Sequence, residues 1–506
     1  MCFEELLLPV GLECPRELFG VSVSAVTTDS RRVVKNSIFI CIEGTNDDGH
    51  RYVEEALNAG AEVIVAESVR SECEGGAALL YAENTRRIAS LLYNLWQGDP
   101  VSRMKFIGVT GTNGKTSVAY ILYEILESAG YKTGLIGTVE CLSCGRRKIN
   151  VKKSMTTPDP ETLYSLLRQM ADDGVEYVVM EVSSHALVQC RVDPINFEVA
   201  VFTNLTEEHL DFHSDMEAYY KAKEKLFLQT KSAVVNIDCD AGKRLDSFLR
   251  ERGILKKTCS RKRGDFCALD AKCGGRGTEY HLIKDFDKCN TYSVRSSLLG
   301  DFQIMNSLEA IAAAELCGVD IAVAVTAVEK IKKISGRLER VGGAENGNIN
   351  VFIDFAHTPD ALERLLRSVR GTVPKNSKII LLFGCGGDRD RGKRKIMGSI
   401  ASRLADFVVV TSDNSRSEEP QGIIKEILKG IDKEKEFAVI ESRREAIITA
   451  IVDYARDGDT VVLAGKGHED YEISALGKHP FDERAIAREA LDMRMKNVRK
   501  GKGNES

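Results

Sequence analysis

The stretch that most constrains this chain is residues 105–117, Lys105-Phe-Ile-Gly-Val-Thr-Gly-Thr-Asn-Gly-Lys-Thr-Ser117. A β-type apolar run feeds a glycine-rich turn that ends in Gly114-Lys115-Thr116. Apolar residues then recur three and four apart at Ala119, Ile121, Leu122, Ile125 and Leu126, the spacing of one helix face. Strand, glycine-rich loop and helix in that order is the setting of a phosphate-binding loop. Backbone N–H groups and the helix N-terminus face the phosphates, Lys115 neutralises them, and the Thr116 hydroxyl is a ligand for Mg²⁺. The match to G-x-x-x-x-G-K-[ST] is imperfect, because Val109 holds the first glycine position and Gly111 comes two residues later. A chain built on this loop has an α/β fold.

At 506 residues the chain exceeds one core and predicts about three domains. Lys and Arg number 70 against 75 Asp and Glu, a net −5 that leaves no whole-chain footprint for nucleic acid. No apolar run reaches the ~20 residues of a membrane span, and the start, Met1-Cys-Phe-Glu-Glu5, lacks the basic flank of a signal peptide. The 14 cysteines are scattered, which suits a reducing cytoplasm. Cys141 and Cys144 form one CxxC with no second pair nearby and read as incidental.

Residues 1–100 predict a small α/β domain, with strands at 37–42 and 62–66 around a helix at 52–59. Polar loops at 27–32 and 43–50 bracket the first strand, a weak signal for a ligand mouth. Residues 97–103 interrupt helical periodicity and read as a linker. A larger α/β domain, 101–335, follows. Its strand at 175–180 carries Glu181 at the carboxyl end, where ligands of open α/β sheets bind and where a carboxylate serves a metal on phosphates. A strand at 198–202 runs into an acidic segment holding His209 and His213, and the position after a strand favours His209 as a ligand or orienter. Residues 216–227 predict a helix. Residues two apart point about 200° away from each other, so Lys223 lies opposite Lys221 and Lys225, within an apolar stripe of Met216, Tyr219, Tyr220, Leu226 and Phe227. Desolvation there favours the neutral amine, while a packed stem with its head in water is the alternative.

Residues 260–295 are basic and poor in motif, and read as exposed connections in a β-rich edge. A helical segment runs to about 334, and a second linker occupies 335–348. Residues 336–506 then alternate strand and helix, with strands at 351–354, 378–383, 407–411, 437–440 and 460–464, a doubly wound parallel sheet. Polar loops after four of these strands, 354–360, 384–394, 413–420 and 465–470, predict a site for a zwitterionic small molecule.

Several motifs resemble the Mur ligases, the cytosolic ATP-dependent enzymes that build the peptidoglycan stem peptide: Thr110-Gly-Thr-Asn-Gly-Lys-Thr116, Met180-Glu-Val-Ser-Ser-His185, Asn204-Leu-Thr-Glu-Glu-His-Leu-Asp-Phe-His213 and Asp354-Phe-Ala-His-Thr-Pro359. Within that family, Thr28-Asp-Ser-Arg31, Thr156-Thr157 and Asp413-Asn-Ser-Arg416 resemble the members that add the third amino acid. The resemblance covers essentially the whole chain. It implies an N-terminal UDP-binding domain, a central ATPase domain and a C-terminal Rossmann-like domain. The implied reaction joins meso-2,6-diaminopimelate to UDP-MurNAc-L-Ala-D-Glu with ATP, through an acyl phosphate. It further implies Gly111, Thr112, Asn113, Gly114, Lys115, Thr116, Ser117, Asn306, Arg337 and Asp354 for ATP. Thr116 and Glu181 would hold one Mg²⁺, and His209 with a carbamylated Lys223 a second. Ser30 would meet the uridine nucleotide, and Thr156, Thr157, Ser183, Gln189 and Arg191 the muramoyl dipeptide. Arg389, Asp413, Asn414, Ser415, Arg416, Gly465 and Glu469 would bind diaminopimelate. A cytoplasmic monomer is expected.

The chain departs from the family pattern at Gln303, where Asn is usual ahead of Asn306, and at Ser415, where Pro is usual in the diaminopimelate signature and would fix φ. The alternatives are the same ligase using L-lysine, a folylpolyglutamate-synthetase-like ligase, and a nucleotide switch. The last has no Asn-Lys-x-Asp motif to support it and no use for Glu181, His209 and Lys223.

Overall fold

The computed structural model describes every residue except 45–46, 69–76, 152–154, 211, 343–347, 375 and 504–506, and it describes no side chain at 288 or 498–503. Parts of the 43–50 loop, the acidic segment after residue 202 and the second linker therefore lie outside the described residues. The chain forms a mixed α/β structure with three main sheets.

The N-terminal sheet has four parallel strands in chain order, Ala25–Thr27, Ser37–Ile40, Ala61–Ala66 and Ala78–Tyr81. The first and last were not foreseen; each is short, with too few residues to show a period. Among the described residues the central sheet has eleven strands. Its phosphate-loop strand, Lys105–Thr110, is buried on both faces: Phe106 packs into one core, Ile107 and Val109 into the other. That is why it reads as a continuous apolar run. Tyr177–Glu181 pairs along one side with Val109 opposite Glu181, and Phe197–Phe202 along the other with Thr110 opposite Phe202. The phosphate loop, Glu181 and the segment from Thr203 onward therefore leave the sheet at one level.

Three expectations need correction here. Residues 266–296 are not simply exposed connections. Phe266–Gly274, Gly277–Lys284 and Asp287–Ser296 are paired antiparallel strands that extend the sheet and bury Phe266, Ala268, Tyr280, Leu282 and Val294 against the helices Phe302–Leu316 and Ile321–Lys330. The exposed face carries the charge, so composition hid an alternating pattern. The helix expected at 216–227 ends at Glu224, and Lys225–Leu228 forms a 3₁₀ turn. Part of the second linker, Glu339–Arg340, is already an antiparallel edge strand against Asn350–Asp354.

The C-terminal sheet orders its strands Glu339–Arg340, Asn350–Asp354, Thr460–Ala464, Ile379–Phe383, Phe407–Val410 and Phe437–Val439. All but the first are parallel, and Asp354 and Phe383 both lie level with Ala464. Its loops after residues 354, 383, 410 and 464 thus open on one rim. Among the described residues no helix is long and apolar enough to cross a membrane.

Candidate active site

The phosphate loop is a close-packed turn that only glycine fits at two points. Gly111 has φ 145°, and a Cβ there would lie 1.9 Å from Thr203 Oγ; Gly114 has φ 89°, and a Cβ would lie 2.6 Å from Asn306 Oδ1. Asn204 Oδ1 accepts from the Asn113 N–H at 2.9 Å, and Thr203 Oγ donates to the Asn113 carbonyl at 2.6 Å. The neighbouring strand end thus braces the loop. Lys115 opens the helix Lys115–Ser128, and Val118, Ile121, Leu122 and Ile125 anchor that helix in the core, with Ser117 buried beside them. Lys115 Nζ donates to the carbonyls of Gly111 and Thr112, both at 2.9 Å. Burial pushes its pKa down, against the pull of Glu208 and Glu181.

Glu181 is almost fully buried. Its carboxylate accepts from Thr116 Oγ at 3.0 Å, from the Thr138 N–H at 2.5 Å and from Thr138 Oγ at 3.0 Å. Thr116 Oγ in turn accepts from Arg337 Nη2 at 2.8 Å. A hydroxyl and a carboxylate side by side beneath a phosphate loop are hard oxygen donors of the type Mg²⁺ takes, and the arrangement fits that ion. Burial lowers the Arg337 pKa and raises that of Asp354, whose oxygens cap the Leu338 and Ala356 amides at 2.6 and 2.8 Å. Asn306, buried, receives no donor from Gln303; it donates its own Nδ2 to Gln303 Oε1 at 2.9 Å and sets its Oδ1 against Gly114.

Lys223 has no exposed head, which removes the snorkelling alternative. It is 1% exposed, its Nζ donates to the Gly111 carbonyl at 2.8 Å, and it lies 4.4 Å from the centre of the Tyr219 ring. Burial, and then the like charge of Lys115, push its pKa well below the ordinary lysine value. Tyr220 belongs to a different environment, since Arg244 stacks on it at 4.1 Å. His209 adopts a left-handed φ of 57°, faces Glu208 at 3.8 Å and stands 4.9 Å, ring to ring, from His185.

The residues expected for the dipeptide also converge. Thr157 Oγ donates to the Glu181 carbonyl at 2.9 Å and accepts from the Ser183 N–H, while Ser183 Oγ caps the helix Ser184–Val188. Arg191 Nη1 donates to the Thr157 carbonyl at 2.6 Å, and its Nη2 to Gln189 Oε1 at 2.5 Å. Thr156 Oγ lies 3.1 Å from Thr138 Oγ, which accepts from it while donating its own proton to Glu181. Ser30 stands apart from this group, itself buried at the start of the turn Ser30–Arg32, whose arginines are exposed.

On the C-terminal rim, Gly465 is required because a Cβ there would lie 2.6 Å from Asp413 Oδ2. Burial favours a protonated Asp413, yet Arg443 and Lys466 outweigh it and hold the pKa below the usual range. Burial and the neighbouring Asp413 instead raise Glu469. Asn414 Nδ2 donates to Glu469 Oε2 at 2.9 Å, and Arg416 Nη1 to the Gly387 carbonyl at 2.7 Å. Ser415 is buried; Arg389 is exposed and donates to the Asp388 carbonyl at 3.1 Å.

A cleft of about 670 Å³ joins the two rims, with Lys115, Thr116, Glu181 and His209 on one wall and His357 and Glu469 on the other. Four contributors went unnoticed in the sequence: Thr138, Glu208, Asp360 and Lys466. Asp360 accepts from Asn113 Nδ2 at 2.8 Å and Thr206 Oγ at 3.2 Å, tying the C-terminal part to the phosphate loop. Asp360 and Lys466 fall inside loops already marked as polar strand ends, which was the available signal. Cys144 Sγ donates to the Asp173 carbonyl, a structural contact.

Comparison with known proteins agrees with this geometry. Three family models match in order: "Mur ligase family, catalytic domain" over residues 22–92, "Mur ligase middle domain" over 109–314, and "Mur ligase, glutamate ligase domain" over 336–467. A Clostridium tetani protein named UDP-N-acetylmuramoyl-L-alanyl-D-glutamate–2,6-diaminopimelate ligase is 39% identical over 474 residues, covering 93% of this chain and 95% of its own. A Clostridioides difficile protein of the same name is 40% identical over 477 residues, with 93% and 96% covered. A solved structure bearing that name superposes with a TM-score of 0.69 at 30% identity over 98% of this chain and 99% of its own. The Mycobacterium tuberculosis folylpolyglutamate synthase shares the fold at a TM-score of 0.61 and 20% identity, over 74% of this chain and 91% of its own. With its three segments matched in order and its relatives aligned nearly end to end, this chain belongs to the Mur ligase family.

Proposed function

We propose that this chain is the ATP-dependent ligase that joins meso-2,6-diaminopimelate to the D-glutamyl γ-carboxylate of UDP-MurNAc-L-Ala-D-Glu in peptidoglycan precursor synthesis. The observation that carries the reading is the shared cleft: a phosphate loop with Lys115 on one wall and a rim of paired charges ending in Glu469 on the other. Homologues of that name aligned over nine-tenths of the chain support it. The working unit is taken as a cytoplasmic monomer with divisions near residues 100 and 335.

A carboxylate is a poor acyl donor, so the γ-carboxylate first takes the terminal phosphoryl group of ATP and becomes an acyl phosphate, with ADP as the leaving group. Lys115 and Arg337 offset charge developing on that group, and the amides of residues 111–117 cradle the phosphates. Thr116 and Glu181 would hold Mg²⁺, which would supply further neutralisation there, and His209 with a carbamylated Lys223 would hold a second ion. A neutral Lys223 amine is the form that reacts with CO₂, and its burial supports that form. Asn306 and Asp354 flank the nucleotide. Thr156, Thr157, Ser183, Gln189 and Arg191 hold the dipeptide, with Ser30 at the uridine end. The incoming amine attacks the acyl carbon and phosphate departs. His357 Nδ1 donates to the Phe355 carbonyl at 2.8 Å, which fixes its tautomer and leaves Nε2 unprotonated toward the cleft.

Diaminopimelate carries a distal carboxylate that lysine lacks. Arg416, with Arg389 beside it, answers that carboxylate, and Glu469 answers an ammonium. A site built to pair a carboxylate leaves Arg416 unpaired with lysine, a penalty of orders of magnitude in kcat/KM. The test is phosphate release from ATP by the full chain with UDP-MurNAc-L-Ala-D-Glu and each amino acid in turn. Release and tripeptide formation with meso-diaminopimelate far above L-lysine are expected. Comparable turnover with L-lysine overturns the selectivity, and no turnover with either overturns the reading.

A further inference from the structure

Lys466 follows the turn at Gly465 and is 0% exposed, an expensive place for an ammonium unless it is paired and hydrogen-bonded. Its Nζ donates to Asn414 Oδ1 and to the Tyr471 carbonyl, each at 2.9 Å, and lies 3.7 Å from Asp413 Oδ1 and 3.8 Å from Glu469 Oε2. One cation therefore ties together the loop after Phe407–Val410, its own loop, and the hairpin strand Tyr471–Ser474.

The consequence for Asn414 is decisive. Its Oδ1 receives two donors, Lys466 Nζ and the Ile473 N–H, both at 2.9 Å. An amide nitrogen cannot accept either, so the flipped rotamer is excluded and Nδ2 is forced toward Glu469 Oε2 at 2.9 Å. Asp413 and Glu469 are like charges in one buried pocket, and Lys466 stands between them. Without it, the Glu469 carboxylate faces Asp413 with the Asn414 amide, Arg416 and the Tyr471 hydroxyl left to offset the repulsion.

We infer that Lys466 is a positioning residue for the diamino acid, holding Asn414 as an N–H donor and Glu469 as an acceptor for the substrate's ammonium and carboxylate groups. This rests on the function proposed above and extends it to a residue that touches no substrate atom. Loss of Lys466 removes one of the two donors that fix the Asn414 amide, leaving the Ile473 N–H alone to hold it, and favours a proton on Glu469, so that an acceptor becomes a donor.

The experiment measures steady-state kinetics of the full chain with ATP, UDP-MurNAc-L-Ala-D-Glu and meso-diaminopimelate, for wild type, Lys466→Met, Asn414→Ala and the double variant. Lys466→Met is expected to raise the diaminopimelate KM about ten- to a hundred-fold, with the KM values of ATP and the UDP-dipeptide unchanged. Part of that loss is recovered in Lys466→Met as rising pH deprotonates Glu469, whose pKa the loss of the cation raises further. The double variant is expected to lose less than the sum of the two single losses, because part of the lysine's effect runs through that amide. An unchanged diaminopimelate KM, a parallel rise in all three KM values, or additive losses overturns the inference. Should Lys466→Met fail to fold, Lys466→Arg keeps the charge but misplaces the donor, and the same KM selectivity decides. A wild type that ignores diaminopimelate overturns the proposed function itself, so the two failures are distinct.

Discussion

Lys115 and Lys223, beneath the phosphate loop, aim their ammonium groups at main-chain carbonyls, whereas Arg443, Arg394 and Lys466, on the C-terminal rim, face carboxylates. Among the described residues neither Lys115, Lys223 nor Arg337 lies within ion-pair distance of an acidic group. Burial lowers the pKa of all three. Arg443 is as deeply buried, yet Glu483 at 2.7 Å and Asp413 outweigh its desolvation and raise its pKa. The difference teaches how each wall is used. Cations without a carboxylate, Lys115 and Arg337, are costly at rest and suit an anion whose charge grows during reaction, and the same lack of a partner favours the neutral amine at Lys223; balanced cations hold a shape for a ligand with no net charge.

The largest test of this contrast is Lys115→Ala. Tripeptide formation is expected to fall by about 10³-fold or more, while calorimetry finds the UDP-dipeptide still bound; equal loss of that binding would mean the variant is unfolded. Arg443→Met should cost about 3–5 kcal/mol in urea denaturation, since Glu483 is left buried and uncompensated. Lys223→Met makes the opposite case. Ligation is expected to disappear while the denaturation midpoint holds or rises, because the removed charge has no carboxylate partner. A marked fall in the midpoint would break the comparison.

A smaller effect depends on pH. Arg394 holds the Glu418 carboxyl down to about 2, from an ordinary 4.5. A depressed folded-state pKa contributes stability that is present above about 4.5 and lost as pH falls through about 2. Glu418→Gln should therefore be less stable than wild type at neutral pH, with the gap closing as urea titrations move from pH 4.5 toward 2; a gap independent of pH refutes the pairing. The smallest effect expected is for Ser415→Pro. The Ser415 amide donates no hydrogen bond among the described residues, and a fixed φ should raise stability by about 0.4–1 kcal/mol without loss of turnover.

Much of the central site was legible because its signals are local. The loop from Thr110 to Thr116 needs adjacent residues, and Glu181 ends an unbroken apolar strand. Lys223 was half legible: helical spacing put it in the apolar stripe, but spacing could not say whether its head reached water. Thr138 and Lys466 were not legible, because their partners are distant in sequence; Thr138 meets Glu181 across 43 residues, and Lys466 meets Asn414 across 52. The buried edge at 266–296 escaped notice because its exposed charges dominated the composition.

What the sequence by itself determined is the α/β class, the phosphate loop and its helix, the strand-end loops and the family motifs, all carried by residues near one another in the chain. Only the tertiary structure decided which buried cations are paired and which way the Asn414 amide faces. It also decided that the two rims share a cleft. Those outcomes depend on burial and on contacts between distant segments, and a charge's environment, unlike its identity, exists only once the chain has folded around it.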